Sequence, residues 1–456
     1  MNRIPFTDRL LEYSKKEITS FHALPLNSGN GLYKSKLKEH YECLFGKEYL
    51  ANEVTYGNGW IDNPIFPTDV LKESQEITAK TFHTDLTMYI TSGTTVANQI
   101  AIFSTINHGD RVLVDRHTHQ SIHFSLSLTG AKIQYSTFVS EEESSGRQFI
   151  NYDSLIHEFQ SAFSKGHPFK VVILNASTYE GVINNSMSII EKILDISEDV
   201  TFIVDEAWIA YAAFNDETKK YSILSSINEK RSSYPKLRLI CTQSPHKSLN
   251  ALRQTSYLHV IGDSKLITSV SDIKYKIHTT SPSYPMLSSL ELAREDMVIN
   301  GNDRIQESLN LVKLFRSHME KYSNLSINSK IPKGDFWALD PLRLSVNFKN
   351  TNLDVNDVKI IFQKHDLYIS RFTQDSFLLN FHLGINENNI DRLKNALKEL
   401  NNTHRSYITN STSNEYVIPY PPGVPVLVPG EIITRKIIKK INMLENCKTK
   451  IMKIKG

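Results

Sequence analysis

Three cysteines in 456 residues, at positions 43, 241 and 447, are too few and too scattered for a disulfide framework. None stands in a CxxC or other metal-ligand spacing, so a reducing compartment is the simpler expectation. No stretch approaches the roughly 18 consecutive apolar residues of a membrane span. The opening MNRIPFTDRLLEYSKKE carries charges throughout and lacks the unbroken apolar centre of a signal peptide. An excess of one charge is also missing: 52 basic against 49 acidic residues leave a formal net charge of +3, which argues against nucleic acid over the whole surface. The expectation is a soluble, cytoplasmic protein with no nucleic-acid and no membrane partner. The rest is ordinary for a globular chain, 40% hydrophobic and 22% charged, and long enough for two or three domains.

From residue 71 onward, short β-branched runs alternate with longer segments of helical periodicity. The runs 88–91, 111–115, 132–137, 170–175, 200–205, 237–242 and 257–261 read as strands, and 95–107, 120–129, 152–165, 187–196 and 218–230 as the helices between them. Strands separated by helices of this length imply right-handed crossovers and a sheet covered on both faces. This predicts a large α/β domain over 71–310 with a mainly parallel sheet. A long helical stretch at 286–322 then leads to strands at 343–348 and 377–381 and helices at 353–364 and 389–400, the pattern of a smaller α+β domain over 311–456. Residues 1–70, rich in Asn, Gly and Pro, read as an arm with little regular structure that packs on another subunit. The proline-dense PYPPGVPVLVPGE at 419–431 reads as an ordered loop, and the basic tail after it as the solvated face of a terminal helix.

In open parallel sheets, ligands bind outside the carboxyl ends of the strands. The polar residues predicted there are Thr91 to Thr95, His119, Thr178 and Tyr179, Asp205 with Trp208, and Ser244 with His246 and Lys247. Ser92-Gly93-Thr94-Thr95 opens a helix, where free N–H groups and the helix dipole favour a phosphate, although simple N-capping explains the same residues. Asp205 closes the apolar run TFIV, where a carboxylate is costly unless it meets a cation or a strong donor such as a protonated ring nitrogen. Lys247 follows the next strand in CTQSPHKSLNAL. A phosphate cradle, a carboxylate for a ring nitrogen and a lysine for an imine are the three elements that pyridoxal phosphate requires. His119, in DRHTHQS, suits an imidazole stacked on the ring; spacing does not separate it from His117.

Seven motifs carry a resemblance: TSGTTVANQIAI (91–102), VLVDRHTHQS (112–121), STYEGV (177–182), VDEAWIAY (204–211), TQSPHKSLNALRQTSYLHV (242–260), HTTSPSYPMLSSLE (278–291) and YPPGVPVLVPGE (420–431). In this order, over residues 70–435, the chain resembles the Orn/Lys/Arg decarboxylase family, with its fold type I, aspartate aminotransferase-like architecture. The resemblance implies that Lys247 holds pyridoxal 5'-phosphate through a Schiff base, that Asp205 pairs with the ring nitrogen and that His119 stacks on the ring. It implies further that Gly93, Thr94, Thr95, Ser244 and His246 surround the phosphate, that Ala207 and Trp208 line the other side, and that Thr280 arrives from a second subunit. A homodimer, or a larger homo-oligomer, with active sites at its interface is expected.

Two segments depart from the family pattern. Leu26 and Asn27 stand where a His-Lys pair is usual, and Ile65 and Asp69 where a His and a Gly are usual. The leading expectation is therefore a decarboxylase of a basic or long-chain amino acid, lysine, ornithine or arginine, with Glu431 as a candidate anchor for a distal amine. The alternatives are an aminotransferase on the same scaffold, with Arg371 holding the substrate carboxylate, and a catalytically dead homologue, which retention of Asp205, His119 and Lys247 together argues against.

Overall fold

Seven strands form the central sheet of the computed structural model, which describes residues 3–456 apart from 17, 58, 143–144, 352, 404–411 and 447–448. They are β1 (Leu86–Ile90), β2 (Arg111–Val114), β3 (Lys132–Tyr135), β4 (Val171–Asn175), β5 (Thr201–Asp205), β6 (Arg238–Gln243) and β7 (Ser256–Ile261), in the spatial order β1-β7-β6-β5-β4-β2-β3. The five strands from β6 across to β3 pair in parallel, while β7 runs antiparallel to both β1 and β6. Every residue of β4 and β5 is buried, as expected for strands covered on both faces.

Successive side chains feed two cores. Val171, Ile173, Ile203 and Ile240 pack with Ala97, Ile100 and Ala101 of the helix Gly93–Thr105 and with Ile122 of the helix Gln120–Ser127. Val172, Leu174, Phe202, Val204 and Leu239 face the other side, where Leu155, Ile190, Leu290 and Met297 from three further helices cover them.

The C-terminal region has a three-stranded antiparallel sheet, Ser326–Asn328, Arg343–Asn347 and Ser376–Asn380, with the helices Val355–Lys364 and Glu387–Asn402. Its Leu344, Phe377 and Leu397 join the same core cluster as the second face of the central sheet. The helix Tyr284–Met319 runs through position 310, where the sequence suggested a division.

The first 70 residues are more regular than their composition suggests. Pro5–Ser14, Lys38–Phe45 and Lys47–Asn52 are helices, and Phe6 and Leu10 are buried in the main core. The backbone N–H groups of Phe6 and Thr7 donate to the buried Glu291 carboxylate at 3.1 and 2.7 Å, so a partner 284 residues away caps this helix. Local composition carries no trace of such a partner. Phe21, Tyr33 and Leu44 remain exposed on a single chain. The proline-dense run is ordered as expected: Glu415–Tyr420 pairs with Lys450–Lys455, and Val417 N donates to Leu427 O at 2.9 Å. The basic tail forms the helix Arg435–Asn446 and this last strand; Lys448 lies outside the described residues.

Candidate active site

The ends of β1, β2, β4, β5 and β6 converge on one cavity of about 700 Å³. β1 runs into Ser92 and Gly93. Gly93 has φ of 77°, a left-handed conformation that disfavours any side chain, and its N–H donates to Gln254 O at 2.7 Å. Ser92 is the N-cap of the helix Gly93–Thr105, but its side chain makes no cap bond. The leading N–H groups at Thr94 and Thr95 are therefore not consumed by a capping side chain, and they sit at the positive end of the helix dipole.

Asp205 ends β5 and is buried. Its Oδ1 accepts from the Ala207 N–H at 3.0 Å and its Oδ2 from Asn98 Nδ2 at 3.1 Å. Asn98 also donates to Ser121 Oγ at 3.0 Å and accepts from Thr242 Oγ1 at 2.7 Å, so its carboxamide ties β5, β6 and the turn after β2 together. Ser121 Oγ lies 2.9 Å from His119 Nδ1, which also accepts from the Ser121 N–H at 3.2 Å. These bonds make Nδ1 an acceptor and leave the proton of a neutral His119 on Nε2. Burial lowers the His119 pKa, the Asp205 charge raises it, and the Lys247 charge lowers it again. His117 also lines the cavity, but its ring turns an edge toward Phe138 with centroids 6.3 Å apart.

Asn98 escaped the sequence reading, although a polar residue one turn after Thr94 on an otherwise apolar helix face is a usable signal. Asn98→Ala removes a donor from a buried carboxylate and an acceptor from Thr242, and should cost about 1–3 kcal/mol of stability in a denaturant titration. The same variant should lower turnover by about tenfold or more, because Asp205 and the Ser121–His119 pair lose their shared support.

Lys247 stands on the one-turn helix Pro245–Ser248. Its Nζ sits 3.8 Å from the centroid of the Trp208 ring and has no hydrogen-bond or ion-pair partner among the described residues. Burial lowers its pKa, the Asp205 charge opposes this, and the Arg343 charge adds to it. Arg343 comes from the C-terminal sheet and lies on the same Trp208 ring, with Cζ 4.3 Å from the centroid. Its guanidinium donates to the carbonyls of Thr178 and Tyr179, both at 3.0 Å, and pairs with Asp340 at 3.6 Å. Tyr179 closes the group, with its ring edge-on to Trp208 at 5.0 Å. A Cβ on Gly181 would lie 2.9 Å from Arg343 Cβ, so glycine there permits the approach.

The other expected residues divide. Thr95 is exposed at the cavity, while the Thr94 and Ser244 hydroxyls bond each other at 2.5 Å, and Thr94 Oγ1 also donates to Ser256 Oγ at 2.9 Å. His246 Nδ1 donates to Thr255 O at 2.7 Å, Nε2 has no partner among the described residues, and burial lowers the pKa of the ring. Ala207 and Trp208 line the cavity, and Ser177, also on its wall, has a buried hydroxyl without a partner among the described residues. Thr280 is exposed and lies on a different cavity of the same chain, with Ile65 and Phe66 of the departing segment. Arg371 donates to the buried Glu180 at 2.8 Å instead of standing free. Glu431 is exposed and accepts from the nearby Val428 N–H at 3.1 Å, the local turn of an ordered loop.

Behind Asp205, the wholly buried Glu206 accepts from Gln243 Nε2 and the Ile223 N–H, both at 2.7 Å. Burial raises its pKa to about 7, against these bonds. A folded state that holds a proton more tightly than the unfolded chain loses stability as pH rises from 4.5 to about 7. Relative to Glu206→Gln, the wild-type protein should lose about 3 kcal/mol across that window, read from urea melts at both ends.

Among the described residues no helix is long and apolar enough to cross a membrane, and no group of three metal-ligating side chains assembles. A mainly parallel sheet with these groups at its carboxyl edge, followed by a small α+β region, defines the fold type I architecture of pyridoxal-phosphate enzymes. The lysine decarboxylase of Francisella novicida superposes with a TM-score of 0.76 at 20% identity, covering 100% of this chain and 81% of that one. Cystalysin of Treponema denticola, a structure containing pyridoxal 5'-phosphate, superposes at 0.51 and 14%, covering 78% and 86%. The chain belongs to the Orn/Lys/Arg decarboxylase family: its major-domain pattern matches residues 4–364 and its C-terminal-domain pattern residues 394–451. The arginine decarboxylase of Halalkalibacterium halodurans is 26% identical, covering 94% of this chain and 91% of that protein. A lysine decarboxylase of Pseudomonas aeruginosa is 29% identical over 73% of this chain and 44% of its own length.

Proposed function

We propose that this protein is a pyridoxal-phosphate-dependent decarboxylase of a basic or long-chain amino acid of the lysine, ornithine or arginine type. The observation that carries the reading is the meeting of an unpartnered Lys247 amine, the buried Asp205 carboxylate and an uncapped helix start in one cavity, in a chain of this family.

These residues fit the cofactor. The cavity volume lies in the range of small-molecule sites, about 300–1,000 Å³. Thr94 and Thr95 offer backbone N–H groups for the phosphate, Gly93 lets it approach closely, and Ser244 and Nε2 of His246 lie beside them. Asp205 already accepts two N–H donors and has lone pairs left for a third. The ring so held acts as an electron sink that makes loss of a group from the amino acid's α-carbon easier.

The chain's own contribution is electrostatic and positional. Burial and Arg343 favour the uncharged Lys247 amine, the form able to attack a carbonyl and then to move a proton at Nζ. Trp208 fixes the approach of that amine. Asp205, held from two sides, keeps its charge directed at the cavity, and His119 is oriented by its Nδ1 acceptor bonds. The Glu180 carboxylate neutralises Arg371, so the cation required by the aminotransferase alternative is already engaged. Thr280, exposed and outside its own chain's cavity, suits a homodimer in which it serves the partner's cofactor.

The test is a panel of amino acids given to the holoenzyme, with released carbon dioxide and keto acid followed together. Lysine, ornithine or arginine should release carbon dioxide with no accumulating keto acid. Keto acid without carbon dioxide from all three would overturn the reading in favour of transamination.

A further inference from the structure

A second cavity, of about 420 Å³, lies away from Lys247, between the segment 64–68, the outer edge of β1 and the helix Ser264–Ile277. We propose that it is a binding site for a small apolar carboxylic acid, with Lys274 as the residue that receives the carboxylate.

Most of the wall is apolar. Ile65, Phe66, Met88 and Tyr275 line it, and the Phe66 and Tyr275 rings pack with centroids 5.0 Å apart. Lys274 also lines it, is only 9% exposed, and its side-chain amine has no hydrogen-bond or ion-pair partner among the described residues. A lysine that is nine-tenths buried in such surroundings ordinarily has a counter-charge or a strong acceptor. Here burial alone acts on it, lowering its pKa to about 8, and no carboxylate opposes the shift.

The acids at the rim are engaged elsewhere or turned to solvent. Asp85 pairs with Arg231 at 2.5 Å, Glu76 lies 3.9 Å from Lys72, and Asp272 is exposed. Nor does His278 supply an acceptor: its Nε2 accepts from the Thr91 N–H at 3.0 Å and its Nδ1 donates to Thr279 O at 2.9 Å. Among the described residues nothing pairs with the Lys274 amine, which opens on the cavity.

One buried ammonium against an apolar wall fixes the chemistry of the occupant. With Glu76, Asp85 and Asp272 at the rim, a singly charged anion is favoured over a phosphate, and a neutral ligand leaves the Lys274 amine unpaired. A monocarboxylate with an aromatic or short aliphatic body satisfies both surfaces. Ile65, one of the residues that depart from the family pattern, stands in this wall, so the departure and the unpaired lysine share one cavity. The occupant would also touch His278, whose bond to Thr91 leads directly into the Ser92–Gly93 turn. That connection gives a bound acid a short route to the cofactor side.

The test is calorimetric titration of the holoenzyme with benzoate and with benzyl alcohol, its uncharged analogue, and it needs no turnover. Benzoate should bind once per chain, and both benzyl alcohol as ligand and Lys274→Met as variant should weaken binding at least tenfold. Equal affinity in Lys274→Met, displacement of benzoate by lysine or arginine at the Lys247 site, or no binding at millimolar concentration would each overturn the proposal; the last is the result if a neighbouring subunit fills the cavity. Should Lys274→Met fail to fold, trinitrobenzenesulfonate labelling of the unaltered protein at pH 8, read by peptide mass spectrometry, replaces it. Benzoate should then slow modification of Lys274, benzyl alcohol should not, and equal labelling with and without benzoate would sink the idea.

Discussion

Lys247→Ala should lower turnover by at least about a thousandfold while leaving folding stability within about 1 kcal/mol of the unaltered protein. The two halves of this expectation come from one observation. The amine lies over Trp208 without a hydrogen bond, so the fold loses little when it is removed. Taking away an unpaired, desolvated amine relieves a cost that offsets the lost packing of its methylenes. The chemistry has no comparable reserve, because Lys247 is the lysine that faces Asp205 across the cavity. Visible absorbance of the purified protein is the first measurement, and steady-state release of carbon dioxide the second. A variant that keeps the band of a lysine-bound cofactor, or that turns over within tenfold of the original, would remove Lys247 from its proposed role. A denaturant midpoint far below that of the unaltered protein would show that the residue is structural.

Arg343→Met should do the reverse to the balance, destabilising the fold by about 3–5 kcal/mol, because it breaks a buried ion pair from one side. The substitution leaves Asp340 with its Tyr211 hydroxyl and Leu342 N–H donors but without its cation, and strips the carbonyls of Thr178 and Tyr179 of their shared donor. The cavity side should respond as well. With the Arg343 charge gone, the Lys247 pKa rises, and the pH at which cofactor recombines with the apoprotein moves upward with it. Urea melts measure the first effect, and the pH dependence of recombination, followed by absorbance, measures the second. A stability loss without any movement of the pH profile would confine Arg343 to a structural role.

Much of the central sheet was legible because hydrophobic period and helix spacing are local properties. β4 and β5 announce themselves as unbroken apolar runs, and the polar residue closing each such run lies at the ligand edge of a parallel sheet. Asp205, His119 and Lys247 were readable for that reason. Arg343 was not, since its partner carbonyl lies 165 residues away and it belongs to no strand end of the large sheet, while Asn98, whose partner Asp205 is 107 residues away, left only the local signal of a polar residue on an apolar helix face. The N-terminal helices were hidden by a composition rich in turn formers, and are supported instead by contacts such as Phe6 and Thr7 with Glu291. Strands of three residues, such as Val182–Asn184 against Trp337–Leu339, are too short to show any period. They exist because a distant partner pairs with them.

The reversed direction of β7 has a mechanical consequence. Because the chain doubles back immediately after Lys247, the loop entering β7 presents two consecutive carbonyls to the site: Gln254 O receives the Gly93 N–H, and Thr255 O receives His246 Nδ1. The turn that carries the lysine and the turn that opens the helix Gly93–Thr105, 154 positions apart in sequence, are thereby hinged on a single dipeptide. Opening that loop by one local fluctuation releases both at once, so the Gly93 turn and the placement of the Lys247 amine rise and fall together as one cooperative unit.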